Sequence, residues 1–320
     1  KHGLNWFETP LHESLHSQDM TNSTLFDSEK NNVFLFWHQG FEEAPEVVQK
    51  CLKSWQALAD NESWEIHELS ERNIDEYIDH MAESDRRALR WFQKRIVPNN
   101  EHYSWTKYTD LLRLCLLDNF GGIWTDSTVY CKSPLSSWIA FDESYPIMPH
   151  CASSPACLTE MWLIASPKGS QILKEWKELL IFAVCTMHLN PAQNWNFRKR
   201  NTDYWLKRIS EVSPRFSLIW LNPWLIKLTK KSPYFIAYFC FNKTLHKNDL
   251  LNKSYLFTMA FDSHAWVEFN RTEWACKGNN RLKHRISKMN FIKLDWKRLQ
   301  NKTHSDLKQG IIGDILEGRV

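Results

Sequence analysis

Long apolar runs are missing from this chain. The longest, near Leu179–Val184 and Tyr234–Phe241, fall well short of the about 18 residues that a membrane-spanning helix needs. Glycine and proline are scarce, 9 and 12 in 320 residues, which excludes collagen-like and low-complexity chains. None of the eight cysteines are spaced C-x-x-C, so neither a zinc ribbon nor a thioredoxin-like redox site is encoded. Eight cysteines in a chain this long do not make a disulfide scaffold either. The phosphate loop G-x-x-x-x-G-K-[ST], the dinucleotide fingerprint G-x-G-x-x-G and the nucleophile elbow G-x-S-x-G are all absent. That argues against P-loop kinases, dinucleotide dehydrogenases and α/β-hydrolases. No internal repeat occurs. Lys1 rather than Met stands first, so the lack of a leader or anchor in these residues excludes neither.

Aromatics are plentiful instead: 17 Trp, 18 Phe and 9 Tyr. They fit a large aromatic core, or platforms on which sugars and bases stack. Charge is uneven. Residues 1–199 hold 18 Lys and Arg against 27 Asp and Glu, a net of −9, whereas residues 200–320 hold 22 against 10, a net of +12. The C-terminal part is therefore expected to meet an anionic partner, such as a nucleotide diphosphate or an anionic membrane surface. No zinc-finger, RNA-recognition or basic-zipper pattern accompanies the charge, so nucleic acid is not expected.

Along the chain, residues 1–30 are polar, lack periodicity and read as an N-terminal extension. Residues 32–37 are a buried strand ended by His38-Gln39-Gly40. Pro45 opens a helix to about residue 60, residues 64–69 alternate as a second strand, and a helix carries Ile74, Tyr77, Ile78 and Met81. The segment 102–120 is a helix apolar nearly all round, stopped by Gly121-Gly122 in the left-handed manner. Ile123-Trp124-Thr125 follows as a strand, ending in Asp126-Ser127-Thr128. A strand at 161–165 and a helix over 170–183 repeat the alternation. Further strands are expected at 234–241 and 255–261, and a basic, helical tail from about 271. Strands alternating with helices predict an α/β architecture, with a catalytic domain over residues 31–270 and the tail over 271–320.

The chemistry concentrates in two places. Asp110 and Arg113, three apart, share one side of the long helix. Asp126 sits where a core strand leaves the sheet, which is where open α/β sheets collect ligands. Asp126 and Thr128 alternate there and can point the same way. One carboxylate and one hydroxyl suit a hard cation, Mn²⁺ or Mg²⁺, delivered with a diphosphate that supplies further oxygens.

Taken together, Asp110-x-x-Arg113, Gly121-Gly122, Trp124 and Asp126-x-Thr128 resemble the DXD-motif glycosyltransferases of the family 32 type, in the flavour of the capsular polysaccharide synthesis proteins. The resemblance extends to Phe36-Trp37-His38-Gln39-Gly40 with Ala44-Pro45, and to Thr159–Ala165 with Lys168-Gly169-Ser170. It implies a GT-A fold that binds a UDP- or GDP-sugar with a divalent cation. On that resemblance Trp37 stacks on the nucleobase, within a nucleotide loop that includes His38 and Gln39. Asp110 holds the sugar hydroxyls, Arg113 contacts the sugar or ribose, and Trp124 stands beside the donor. Asp126 binds metal and diphosphate, with Thr128 in place of the usual second acid; capsular-type members often carry a neutral residue there. In Asp262-Ser263-His264-Ala265-Trp266, His264 is the matching metal or phosphate ligand and Trp266 closes over the diphosphate. The implied activity is retaining transfer of a hexose to a glycan or lipid-linked saccharide. The alternatives are a degenerate relative that binds without transfer, or a nucleotide-sugar hydrolase or sugar-phosphate transferase. Peripheral contact with an anionic membrane places such an enzyme at the cytoplasmic face of the bacterial inner membrane. Six N-x-[ST] sequons leave a Golgi lumen as the alternative.

Overall fold

The computed structural model describes residues 25–27, 29–59, 63–95, 101–139, 141, 145–149, 159–188, 236–259, 261–271, 280–295 and 313–314. In chain order these form β1 (Asn31–Phe36), α1 (Glu46–Leu58), β2 (Trp64–Leu69), α2 (Ile74–Asp79), α3 (Glu83–Arg95), α4 (Glu101–Phe120), β3 (Gly122–Thr125), β4 (Val129–Cys131), β5 (Met148–Pro149) and β6 (Leu163–Ser166). Then follow α5 (Gln171–His188), α6 (Ile236–Lys247), β7 (Thr258–Met259), α7 (Ser263–Arg271), α8 (Asn280–Ser287) and β8 (Phe291–Lys293).

The central sheet has the order β2-β1-β3-β6. β1 runs parallel to both β2 and β3, and β6 closes the edge antiparallel to β3. Parallel strands joined by helical crossovers are covered on both faces, so their residues are apolar without a polar side. β1 divides its apolar residues by parity. Phe34 and Phe36 face a core built from α2 to α6, while Val33 and Leu35 face a second core with α1, α7, α8 and β8. β3 repeats this, with Trp124 in the first core and Ile123 in the second. The result is a three-layer α/β sandwich, as expected from the alternation.

Helix α4 threads the first core and buries Leu111, Leu112, Leu114, Cys115, Leu116 and Leu117 in succession. A buried ion network ties it to its neighbours: Lys177 on α5 lies 2.6 Å from Asp85 on α3 and 2.5 Å from Asp118 on α4. Burial alone would push the Lys177 ammonium down, but the two carboxylates outweigh it and raise its pKa. The chain then reverses through Gly121 (φ 69°) and Gly122 (φ 105°), and a Cβ on Gly122 would lie 2.2 Å from the Asn32 carbonyl oxygen. Only glycine lets β3 start this close against β1.

Three expectations are corrected. The apolar run near residues 234–241 is helix α6 from Ile236, not a strand: Ile236, Ala237, Phe239, Cys240 and Phe241 are all buried, and a run this apolar suits a helix enclosed by neighbours as well as a strand. Residues 254–257 form a 3-10 turn before the short β7, rather than part of one long strand. The boundary at residue 270 is not a packing boundary. Leu282, Ile286, Met289, Phe291, Ile292 and Leu294 belong to the second core, and β8 pairs antiparallel with β4. At the other end most of residues 1–30 lie outside the described residues, but Phe26 stacks on Phe120 with ring centres 4.1 Å apart.

Candidate active site

The strand order reverses at β1, since β2 follows on one side and β3 on the other. The crevice outside the carboxyl ends of β1 and β3 is thus the topological switch point, where α/β sheets bind ligands. The Ser127 hydroxyl locks the two ends together by donating to the Phe36 carbonyl at 2.6 Å. The loop after β1 is tied to the loop after β2: the Trp37 amide donates to Leu69, the Glu71 amide donates to His38, and the His38 ring lies 2.8 Å from the Glu71 carboxylate. The other side of His38 meets Trp105 of α4, ring centres 4.1 Å apart. Trp37 and His38 are half-buried here, and Gln39 is exposed on the turn.

Arg113 is the hub of the site. Its side chain is 6% exposed. Nε donates to the Thr109 carbonyl at 3.0 Å, and Nη1 donates to the Met161 carbonyl at 2.5 Å. Nη2 lies 3.1 Å from Asp110 Oδ1, and Nη1 lies 3.7 Å from Asp126 Oδ1. The guanidinium stands 5.1 Å over the Trp124 ring. Trp124 is itself 2% exposed and donates from Nε1 to Asp126 Oδ1 at 3.4 Å. Its place is therefore beneath Arg113 and behind Asp126, with almost no ring face open to a ligand. Asp110 holds a second cation, Lys107 Nζ at 3.2 Å.

Asp126, one-third exposed, faces the crevice. Its Oδ2 accepts from Lys293 Nζ at 2.9 Å, and the same ammonium donates to the Thr128 hydroxyl at 2.7 Å. Burial pushes the Asp126 carboxyl up, but Lys293, Arg113 and the Trp124 N–H together outweigh it and hold the pKa below its usual value. The ammonium thus stands in the gap between the two oxygens expected to bind a divalent cation. His264, the third expected ligand, is exposed on the first turn of α7. Among the described residues no three His, Cys, Asp or Glu side chains gather as metal ligands. The residues present do not fit an open divalent site.

Lys293, which sequence reasoning did not single out, is brought into this cluster by the fold. It is placed by β8, in register with Val129 of β4. Trp266 secures that strand, since its Nε1 donates to the Lys293 carbonyl at 2.9 Å. Nearby, Asp262 takes a two-pronged pair from Arg285, at 2.7 and 2.6 Å, which lowers its pKa and joins α8 to the start of α7. The site therefore unites Asp110, Arg113, Trp124, Asp126 and Thr128. Trp266 stands behind it, bonded to the lysine's backbone. The expectation that the H-E-x-x-H motif of zinc hydrolases is missing is corrected by the sequence itself, since His12-Glu13-Ser14-Leu15-His16 carries it; these residues lie outside the described ones.

Comparison with known proteins bears on this arrangement. Residues 4–183 match the family model described as capsular polysaccharide synthesis protein. A curated relative, glycosyltransferase afumC of Aspergillus fumigatus, is 26% identical over 165 residues, covering 48% of this chain and 40% of that protein. The chain thus spans less than half the length of that relative. Among solved structures, the PaToxG glycosyltransferase aligns with a TM-score of 0.37 and 12% identity, over 71% of this chain and 85% of its own. The ligand-free glycosyltransferase domain from the YGT toxin aligns with a TM-score of 0.38 and 7% identity, over 91% of this chain and 99% of its own. At those scores neither adds to the architecture read from the strands themselves.

Proposed function

Because the chain belongs to the capsular polysaccharide synthesis protein family, we propose that it is a GT-A glycosyltransferase that moves a hexose from a UDP- or GDP-sugar to a glycan or lipid-linked saccharide. The carrying observation is the convergence of Asp110, Arg113 and Asp126 with Lys293 at the switch point. Arg113 and Lys293 converge on Asp126 there, so two fixed cations stand where a diphosphate would enter. When the bond from the anomeric carbon to the diphosphate oxygen breaks, negative charge grows on the leaving group, and these fixed cations stabilise it. Trp37, with the His38–Trp105 pair beside it, offers the nucleobase an aromatic wall, and Asp110 is placed to orient the sugar hydroxyls.

Asp126 is ion-paired with its pKa lowered, and Asp110 is held by two cations, so neither is poised as a base toward an acceptor. That favours a retaining, front-side reaction. The acceptor hydroxyl bonds to the anomeric carbon on the face the diphosphate leaves, and its proton passes to the departing phosphate. Exposed Arg281, Lys283 and Lys288, on and just after α8, support contact with an anionic membrane surface. Among the described residues no helix is long and apolar enough to cross a membrane.

The test is a thermal-shift panel of UDP- and GDP-sugars on the wild type and Lys293→Met, followed by release of nucleoside diphosphate in the presence of saccharide acceptors. One nucleotide class should stabilise the wild type and lose most of its effect in the variant. Binding without acceptor-dependent release would favour a binding protein, release without acceptor a hydrolase, and no shift at millimolar nucleotide-sugar would refute the reading.

A further inference from the structure

The D-x-T turn is built around a lysine. Lys293 lies on β8, and its position is fixed from both sides. The next residue's amide, Leu294, donates to the Thr128 carbonyl at 2.9 Å, and the Lys293 carbonyl accepts from Trp266. The side chain is 13% exposed and reaches both Asp126 and Thr128 with ordinary hydrogen-bond lengths. An ammonium has three N–H donors. Two are engaged by Asp126 and Thr128, and the third is available to an anion entering beside Asp126. A divalent ion taking the same two oxygens would stand against a fixed positive charge at contact distance. With the neutral Thr128, the turn offers one carboxylate, less charge than a divalent ion needs and enough for one ammonium.

We propose that the Lys293 ammonium is the resident cation of the donor site: it takes the place of a divalent metal between Asp126 and Thr128 and hydrogen-bonds the donor diphosphate, so that nucleoside diphosphate binds without metal. This rests on the nucleotide-sugar reading above. It makes Lys293 a diphosphate-binding residue and Trp266 a positioning residue that acts through the β8 backbone.

The test is calorimetric titration of the whole chain with UDP and with GDP, in excess EDTA and in millimolar Mn²⁺. Wild type should bind one of them with the same affinity, to within about threefold, in both conditions. Lys293→Met keeps most of the side chain's apolar stem and removes its ammonium, and in EDTA it should bind about tenfold or more weakly. Mn²⁺ should restore part of that loss, since Asp126 and Thr128 are then vacated. Electron paramagnetic resonance of Mn²⁺ alone should show uptake by Lys293→Met and none by wild type. Wild-type binding that requires Mn²⁺ overturns the proposal and leaves the donor-site reading standing, as does undiminished binding by Lys293→Met in EDTA. Failure of both diphosphates in both conditions overturns the donor-site reading and this proposal with it. If Lys293→Met does not fold by circular dichroism, the wild-type comparison of EDTA with Mn²⁺ still decides.

Discussion

Replacing Arg113 with Met removes the guanidinium while keeping most of the side chain's apolar bulk. In the wild type that group donates to the Met161 carbonyl and pairs with both Asp110 and Asp126. The carboxylates are not stranded by its loss, because Asp110 keeps Lys107 and Asp126 keeps Lys293. What is stranded is the Met161 carbonyl, at roughly 1–3 kcal/mol for a buried unpaired acceptor, plus about 1 kcal/mol for weakened charge-assisted bonds. Arg113→Met should therefore cost about 3 kcal/mol. Urea unfolding at neutral pH reads this as a lower midpoint with an unchanged slope. Arg113→Lys restores the charge but not the fork, so it should recover about half of the stability. It should still bind nucleoside diphosphate weakly, because Asp126 is no longer held from behind; a purely structural role would not separate the two readouts. A cost below about 1 kcal/mol for Arg113→Met would refute the idea that the guanidinium is what satisfies the buried Met161 carbonyl.

Two further predictions follow from the core. His67 is buried, with Nε2 2.8 Å from Asn32 Oδ1 and Nδ1 3.3 Å from the Tyr77 hydroxyl; burial lowers its pKa to about 4, against a smaller opposing pull from Glu65. A depressed folded-state value means that its stabilisation is full above about pH 6.5 and is lost as pH falls toward 4, on the order of 3 kcal/mol over that window. Urea unfolding between pH 7 and 4 should show that slope in wild type and not in His67→Gln, and equal slopes would sink the assignment. Gly122→Ala should cost roughly 2–4 kcal/mol, from positive φ and overpacking against Asn32. A thermal midpoint matching wild type would show that β1 and β3 can separate without penalty.

The legible parts of the sequence are those where local pattern and tertiary role agree. β2 falls at residues 64–69, as its alternation requires, and α4 ends at the Gly pair that stops it. Asp110, Arg113 and Asp126 could be found because each stands at a fixed offset from an element boundary. The run at the start of α6 defeated the reading because aromatic and β-branched residues favour strands, and only the surrounding helices decide that this one coils. Lys293 left no local trace. It is one of 40 Lys and Arg, on a three-residue strand too short for periodicity, in a stretch whose charge reads as a solvated tail. It also lies beyond residues 4–183, where the family match ends. The contacts that give it meaning are with residues 167 and 165 positions earlier.

That separation sets an order of events during synthesis. A ribosome that has just added Asp126 must add 167 more residues before Lys293 exists, roughly 10–30 s at ordinary elongation rates. β1, β2 and β3 can pair in the meantime, so the nascent chain can hold the sheet and Arg113 beneath it while Asp126 faces the crevice without its lysine partner. β4 waits with an unpaired edge until β8 arrives. The pocket is thus completed by β8, the last of the described strands to be made, and a chain released before it would be folded in outline yet inert.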